Sequence, residues 1–260
     1  MPAAQRLSSL HRRRVLVTGA ASGIGLAVAR ELAARGAVLL LCDLPGEALT
    51  RAAAEIPNAC ALPADLSRRE QVFELAREAG EVDVLVNSAG IQRVAPVERF
   101  DPAAWDLIQA VMLTAPFLLI RALVSGMYER SWGRIINVSS VHGLIASPYK
   151  SAYVAAKHGL MGLTKTVALE AGGRATNVTV NAVCPSYVRT PLVDRQIADQ
   201  ARLANITEEA VLEQVLLVRN AVKRLIEPED VAAAVAFLCS EEAWSITGAA
   251  FTMDGGWLAH

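Results

Sequence analysis

Seven short apolar runs, each separated from the next by a stretch of helical periodicity, constrain this chain more than any other feature. They are RVLVTG (14–19), AVLLLCD (37–43), NACALPAD (58–65), VDVLVNSAG (82–90), GRIINVSS (133–140), NVTVNAVCP (177–185) and AAFTMDGG (249–256). Their Val, Ile and Leu residues follow one another instead of alternating with polar ones, as in strands buried on both faces. Between them, segments such as GLAVARELAARG and SRREQVFELAREAG repeat apolar residues at helical spacing. Strands alternating with helices in this way form a parallel sheet with helices on both faces, a doubly wound α/β fold. The 260 residues are 53% hydrophobic, enough to bury a large core, and no repeat or low-complexity linker divides them, so one domain over 1–260 is expected.

One segment departs from the alternation. Residues 190–227 carry a helical pattern with no strand between its parts; Thr207 reads as an N-cap and Pro228 as the first residue of the next helix. Extra helices after a strand's C-terminal end fall over the ligand crevice of such a sheet, so this stretch is expected to be a lid.

The charge balance excludes several partners. With 25 basic and 26 acidic residues, no overall positive field gathers nucleic acid or anionic lipid, and the expected partner is a small molecule. Cys42, Cys60, Cys184 and Cys239 are scattered, without the spacing of a zinc site or a disulfide framework. The opening MPAAQRLSSLHRRR is basic and acid-free but runs directly into an apolar strand, and no apolar run reaches the ~20 residues of a membrane span without Gly, Pro or charge. A cytoplasmic protein is expected.

Chemistry enters at the first strand-to-helix turn, Thr18-Gly19-Ala20-Ala21-Ser22-Gly23-Ile24-Gly25. Glycines let the backbone approach a pyrophosphate, and the helix N-terminus offers that anion unpaired N–H groups and a favourable dipole. Asp43 ends the second strand, where a carboxylate binds both hydroxyls of an adenosine ribose and repels a 2′-phosphate, and the glycine turn carries no Arg. NAD is therefore expected over NADP.

Tyr153 and Lys157 are spaced i, i+4 on a helical segment and so share one face. A phenol titrating near pH 10 is a poor base until a neighbouring ammonium stabilises its phenolate. Ser140, at the end of the fifth strand, can hydrogen-bond the same substrate oxygen. Lysine usage supports a function for this stretch: only Lys150, Lys157, Lys165 and Lys223 are lysines, and two of these four lie within 139–157.

Together the Thr18–Gly25 turn, Asn87-Ser88-Ala89-Gly90, Ser140, Tyr153-x-x-x-Lys157 and the Pro185–Thr190 stretch resemble the classical short-chain dehydrogenase/reductase family over nearly the whole chain. The resemblance implies a Rossmann-type fold with a seven-stranded parallel sheet, usually in a homotetramer. It also implies Tyr153 as acid/base, Ser140 orienting substrate and Lys157 binding the nicotinamide ribose. Asp65 and Leu66 match positions that contact adenine, Asn87, Ala89 and Gly90 the floor beneath the adenine ribose, and Val188 and Thr190 the carboxamide contacts.

Within that family, GIQ (90–92), residues 139–159, YVRTPLVDRQI (187–197) and DGGW (254–257) resemble the bacterial D-3-hydroxybutyrate dehydrogenases. The resemblance implies a substrate pocket of Gln92, Ser140, His142, Lys150, Tyr153, Gln196 and Trp257, with reversible oxidation of D-3-hydroxybutyrate to acetoacetate by NAD. A short hydroxy acid suits that set: Lys150 supplies charge, Gln92, Gln196 and His142 hydrogen bonds, and Trp257 an apolar wall. The alternatives are another β-keto or polyol substrate, or an NAD(H)-binding protein without turnover. Three positions depart from the family pattern: Ser88 replaces an Asn, Ser186 a Gly, and Met112 an Asn that helps hold a proton-relay water. A backbone carbonyl and Lys157 are expected to hold that water instead.

Overall fold

Each apolar run forms a strand. They are β1 Arg14–Thr18, β2 Val38–Asp43, β3 Ala59–Pro63, β4 Val84–Asn87, β5 Gly133–Val138, β6 Val178–Pro185 and β7 Ala250–Met253. The computed structural model describes residues 10–174 and 177–259; the side chains of Leu192, Arg195, Gln196, Asp199, Gln200, Leu203 and Ala204 lie outside the description. The strands form one sheet in the order β3-β2-β1-β4-β5-β6-β7, with every neighbouring pair parallel. The strand order reverses between β1 and β4, and a doubly wound sheet opens its ligand crevice beyond the strand ends at such a point.

Successive side chains of a strand point to opposite faces, and the core divides accordingly. Val15 and Val17 of β1 pack with Val28 and Leu32 of α1 (Gly23–Ala34) and with Val231 and Val235 of α9 (Pro228–Leu238). Leu16, between those valines, faces the other side and joins Leu85, Ile135 and Val180. That face is covered by α3 (Arg69–Ala79), α5 (Ala115–Glu129) and α6 (Ser151–Gly172). The remaining early helices are α2 (Glu47–Glu55) and α4 (Pro102–Gln109). A π turn, Ala110–Thr114, joins α4 to α5, so 102–129 runs as one helical segment. By length and composition this segment could cross a membrane, with a mean hydropathy of 2.0; 44% of its most apolar window is buried within the protein.

The region beyond β6 is only partly as expected. α7 (Pro191–Ala204) is capped by Thr190, whose Oγ1 accepts from Val193 N–H, and α8 (Glu208–Val211) by Thr207, whose Oγ1 accepts from Ala210 N–H. Helical structure then continues only through a π turn, Leu212–Leu216. Residues 217–227 are irregular, although their apolar spacing is helical. The physical reason lies in long-range hydrogen bonds: Val222 N–H donates to Gly255 O at 2.9 Å and Ile226 N–H to Tyr187 O at 3.0 Å. Asn220 Nδ2 adds a bond to Asp254 O at 2.7 Å. These bonds tie the segment to the residues after β6 and β7. Helix resumes at Pro228, where Glu227 and Asp230 form a capping box. Ile197, Val211, Leu216, Leu217 and Leu225 make a small core of their own, with Tyr187 and Val193 against it.

Candidate active site

The strand ends open on one cavity of about 590 Å³. At one part of its wall, the turn after β1 presents Gly19, Ser22, Gly23, Ile24 and Gly25. Two of its glycines have no room for a side chain: a Cβ on Gly25 would run into the Gly19 carbonyl, and one on Gly19, at φ +68°, would come within 2.8 Å of Ala89 Cα. Asp43 is aimed by two backbone donors, Ala21 N–H to Oδ2 at 2.9 Å and Leu44 N–H to Oδ1 at 2.8 Å. Asp65 and Leu66 follow along the wall, with Ala89, Gly90, Val188 and Thr190. The Ser67 hydroxyl and N–H hold the Asp65 carboxyl below its usual range.

Two expected coenzyme residues stand a layer behind this wall. Thr18 is 2% exposed, and its Oγ1 accepts from Ser88 N–H at 3.1 Å and Ala89 N–H at 3.2 Å, so it ties the turn after β4 to β1. Asn87 is buried and donates to Asn137 Oδ1 at 2.9 Å, while Asn137 donates in turn to Thr164 Oγ1. Both act as struts for the residues that face the cavity. The glycine cradle, the N-terminus of α1 and the oriented Asp43 carboxylate match what a nicotinamide dinucleotide presents: a pyrophosphate and a ribose diol. A dinucleotide would therefore fit this part of the cavity, whose wall continues to Tyr153.

Ser140, Tyr153 and Lys157 meet in this cavity. Ser140 leaves the end of β5, where its Oγ donates to Pro185 O at 3.3 Å; burial raises the pKa of the Tyr153 phenol, and the Ser140 hydroxyl opposes that rise. Lys157 is 4% exposed and donates through Nζ to Val138 O at 2.6 Å; its Nζ lies 5.7 Å from the Tyr153 ring centre. Burial lowers its pKa to about 8, so the ammonium persists at neutral pH. Met112, 1% exposed, packs with Ile108, Ala152, Ala156 and Tyr153, and its Sδ accepts from Ile91 N–H at 3.5 Å.

The expected substrate residues converge here from distant segments. Gln92, His142, Lys150 and Trp257 line the cavity; Gln196 lies on α7, and its side chain is outside the described residues. Lys150 is 8% exposed, and no acceptor or carboxylate among the described residues pairs with its ammonium, whose pKa burial lowers. Among the described residues, the acids on the wall are Asp43 and Asp65, both beside the glycine turn. His142 Nδ1 is 3.4 Å from Ser140 Oγ and Nε2 is 2.7 Å from Ser147 Oγ. Burial, reinforced by the nearby Lys150 charge, pushes the imidazole pKa down to about 4, so it is neutral at pH 7.

Sequence reasoning missed Tyr187. Its ring stacks on Trp257 with centroids 5.7 Å apart and planes 19° apart, and the Lys150 ammonium lies 5.5 Å from its centre. Its place just after the end of β6 was the available signal, since strand ends build the crevice.

Known proteins carry the same pattern. A family profile described as enoyl-(acyl carrier protein) reductase matches residues 19–258. A solved structure titled "short chain dehydrogenase/reductase family protein" superposes with a TM-score of 0.86 at 34% identity, covering 96% of this chain and 99% of that one. The chain belongs to the short-chain dehydrogenase/reductase family. Among curated relatives of this oxidoreductase, D-beta-hydroxybutyrate dehydrogenase of Rhizobium meliloti is 46% identical, over 95% of this chain and 99% of its own length. The protein of the same name from Cupriavidus necator is 44% identical, over 96% and 99%. Membership in the family implies a nicotinamide coenzyme, NAD or NADP.

Proposed function

We propose that this short-chain dehydrogenase/reductase oxidises D-3-hydroxybutyrate to acetoacetate with NAD, and catalyses the reverse reaction. The observation that carries the substrate class is Lys150. A buried ammonium without an anionic partner is costly, and a ligand carboxylate removes that cost. Tyr187 and Trp257 wall the same region with stacked rings, leaving an apolar surface for a short aliphatic acid. The names of the two relatives support the same substrate. Asp43 supports NAD, since its carboxylate accepts ribose hydroxyls and repels a 2′-phosphate.

In this reading Tyr153, as phenolate, takes the proton of the C3 hydroxyl, and Ser140 hydrogen-bonds the same oxygen. The Lys157 cation, fixed by Val138 O and 5.7 Å from the Tyr153 ring centre, favours the phenolate by its charge. The coenzyme, when bound, supplies the hydride acceptor for C3. Lys150 holds the substrate carboxylate, with Gln92 and Gln196 as further donors. His142 closes the wall beside it; both ring nitrogens face serines, so a bond from His142 to the carboxylate requires one of those contacts to give way. In the reductive direction Tyr153 returns its proton.

A homotetramer and a closing lid at 190–227 are part of this proposal. Trp105 and Phe117, exposed on the 102–129 segment, offer apolar surface for assembly, and light scattering after size exclusion measures its stoichiometry. The function itself is tested by reduced-coenzyme formation from D-3-hydroxybutyrate, the L-enantiomer and neutral secondary alcohols, each with NAD and NADP. Turnover confined to the D-acid with NAD is expected; preference for a neutral alcohol or for NADP overturns the corresponding part.

A further inference from the structure

The two stacked rings beside Lys150 are carried by different parts of the chain. Tyr187 follows β6 and Trp257 follows β7, yet their planes lie 19° apart with centroids 5.7 Å apart. The β6–β7 ladder ends at Pro185 and Met253, with one further bond from Ser186 N–H to Met253 O at 3.0 Å. Beyond it, the register of the rings depends on whatever joins the two turns.

A third segment, 220–222, makes that joint. Asn220 is 2% exposed, and its amide donates to both turns: Nδ2 lies 2.7 Å from Asp254 O and 3.3 Å from Ser186 Oγ. Asp254 O also accepts from Trp257 N–H at 3.2 Å, so one carbonyl receives both the strut and the backbone of the residue it supports. The Asp254 carboxylate accepts from Gly256 N–H and Leu258 N–H, which makes the turn 254–258 one unit. The fit is close: a Cβ on Gly255 would come within 3.1 Å of Asn220 Nδ2, and one on Gly256 within 3.0 Å of Ala221 Cβ. Asn220 Oδ1, in contrast, is buried without a hydrogen-bond partner among the described residues. A leucine of similar shape would leave no such acceptor unsatisfied, so what the amide contributes here is a donor shared between two turns.

We propose that Asn220 is a positioning residue for the substrate wall, its amide holding the turn that carries Trp257 against the turn that carries Tyr187. The proposal rests on the reading of those two rings as that wall. Asn220 is not among the residues that line the cavity, and it acts through Asp254 and Ser186.

The test uses the full chain and whichever hydroxy acid or secondary alcohol the wild type oxidises. Wild type, Asn220→Leu, Asn220→Ala and Lys223→Met are compared, each with and without Trp257→Ala, so that the difference spectrum isolates Trp257 emission. Lys223 is the control, since its Nζ bonds Leu217 O and Val218 O on the same stretch without reaching either turn. Asn220→Leu and Asn220→Ala are expected to raise KM about tenfold, the effect of losing one or two hydrogen bonds, while kcat and coenzyme affinity hold. In both, Trp257 emission moves to longer wavelength and becomes more accessible to acrylamide; Lys223→Met changes neither KM nor emission. Unchanged KM and emission in the Asn220 variants overturn the proposal, as does either change without the other. Equal effects in Lys223→Met, or a matching loss of coenzyme affinity, overturn it in favour of general loosening. Trp257→Ala with a wild-type KM overturns the reading of the wall, and the proposal with it; a raised KM there beside wild-type-like Asn220 variants overturns the proposal alone.

Discussion

The turn after β1 and the wall around Lys150 share one cavity but are held by opposite means. In the coenzyme part the protein satisfies its own polar groups: Asp43 receives two backbone N–H bonds, Thr18 receives two more, and Gly25 lies against the Gly19 carbonyl. In the part around Lys150, a buried ammonium has no acceptor or carboxylate among the described residues and lies over the Tyr187 ring of a stacked pair. The first is a finished cradle for a ligand common to a large family, whereas the second becomes electrostatically complete only when an anion arrives. On the proposed function, discrimination among substrates resides at Lys150, where the described residues leave a charge unsatisfied.

This contrast is most strongly exposed by separating chemistry from binding. Tyr153→Phe removes the proton acceptor and leaves both walls, so kcat is expected to fall by about 10²–10⁴-fold while coenzyme affinity, read by fluorescence titration, stays. Lys150→Met comes next: kcat/KM for the acid falls by roughly 10²-fold, since truncating a buried charge interaction costs about 2–5 kcal/mol. Coenzyme affinity is again unchanged, and a matching loss of it would erase the division between the two parts. Asp43→Ala should do the reverse, weakening NAD about tenfold through the lost ribose bonds while the KM of the acid moves little. The smallest effect is in stability. His142 has a folded-state pKa of about 4 against an ordinary 6.5, so the unfolded chain takes up the extra proton as pH falls between those values. Stability is then fully present above pH 6.5 and declines toward pH 4, by about 1 kcal/mol between pH 7 and pH 5.5. Denaturant titrations across that range check the slope, which His142→Asn should flatten.

The sequence was most legible where local chemistry dictates local structure. Seven apolar runs marked seven strands: the five inner ones are buried on both faces and so cannot alternate with polar residues, while the edge strands β3 and β7 are only partly buried. The glycine turn, Thr207 and Pro228 were readable for the same reason: a close approach, a cap and a first helical turn each demand particular residue types. What could not be read depends on distant partners. Residues 217–227 have helical spacing but give their backbone bonds to Gly255 and Tyr187. Thr18 and Asn87 hold the cavity wall from behind, a role set by Ala89 and Asn137 and not by their own neighbours in sequence. The stacking of Tyr187 on Trp257 and the contact of His142 with Ser147 likewise exist only once the chain has folded.

The central claim is that the unpaired Lys150 makes the cavity select an acid. It is tested most directly by the ratio of kcat/KM for D-3-hydroxybutyrate to that for a neutral secondary alcohol of the same length, in wild type and in Lys150→Met. The account predicts a wild-type preference of roughly 10²-fold or more for the acid, collapsing toward unity in the variant as the acid rate falls and the alcohol rate holds. A wild-type enzyme that turns over the neutral alcohol as well as the acid, or a variant that keeps the preference, would contradict it.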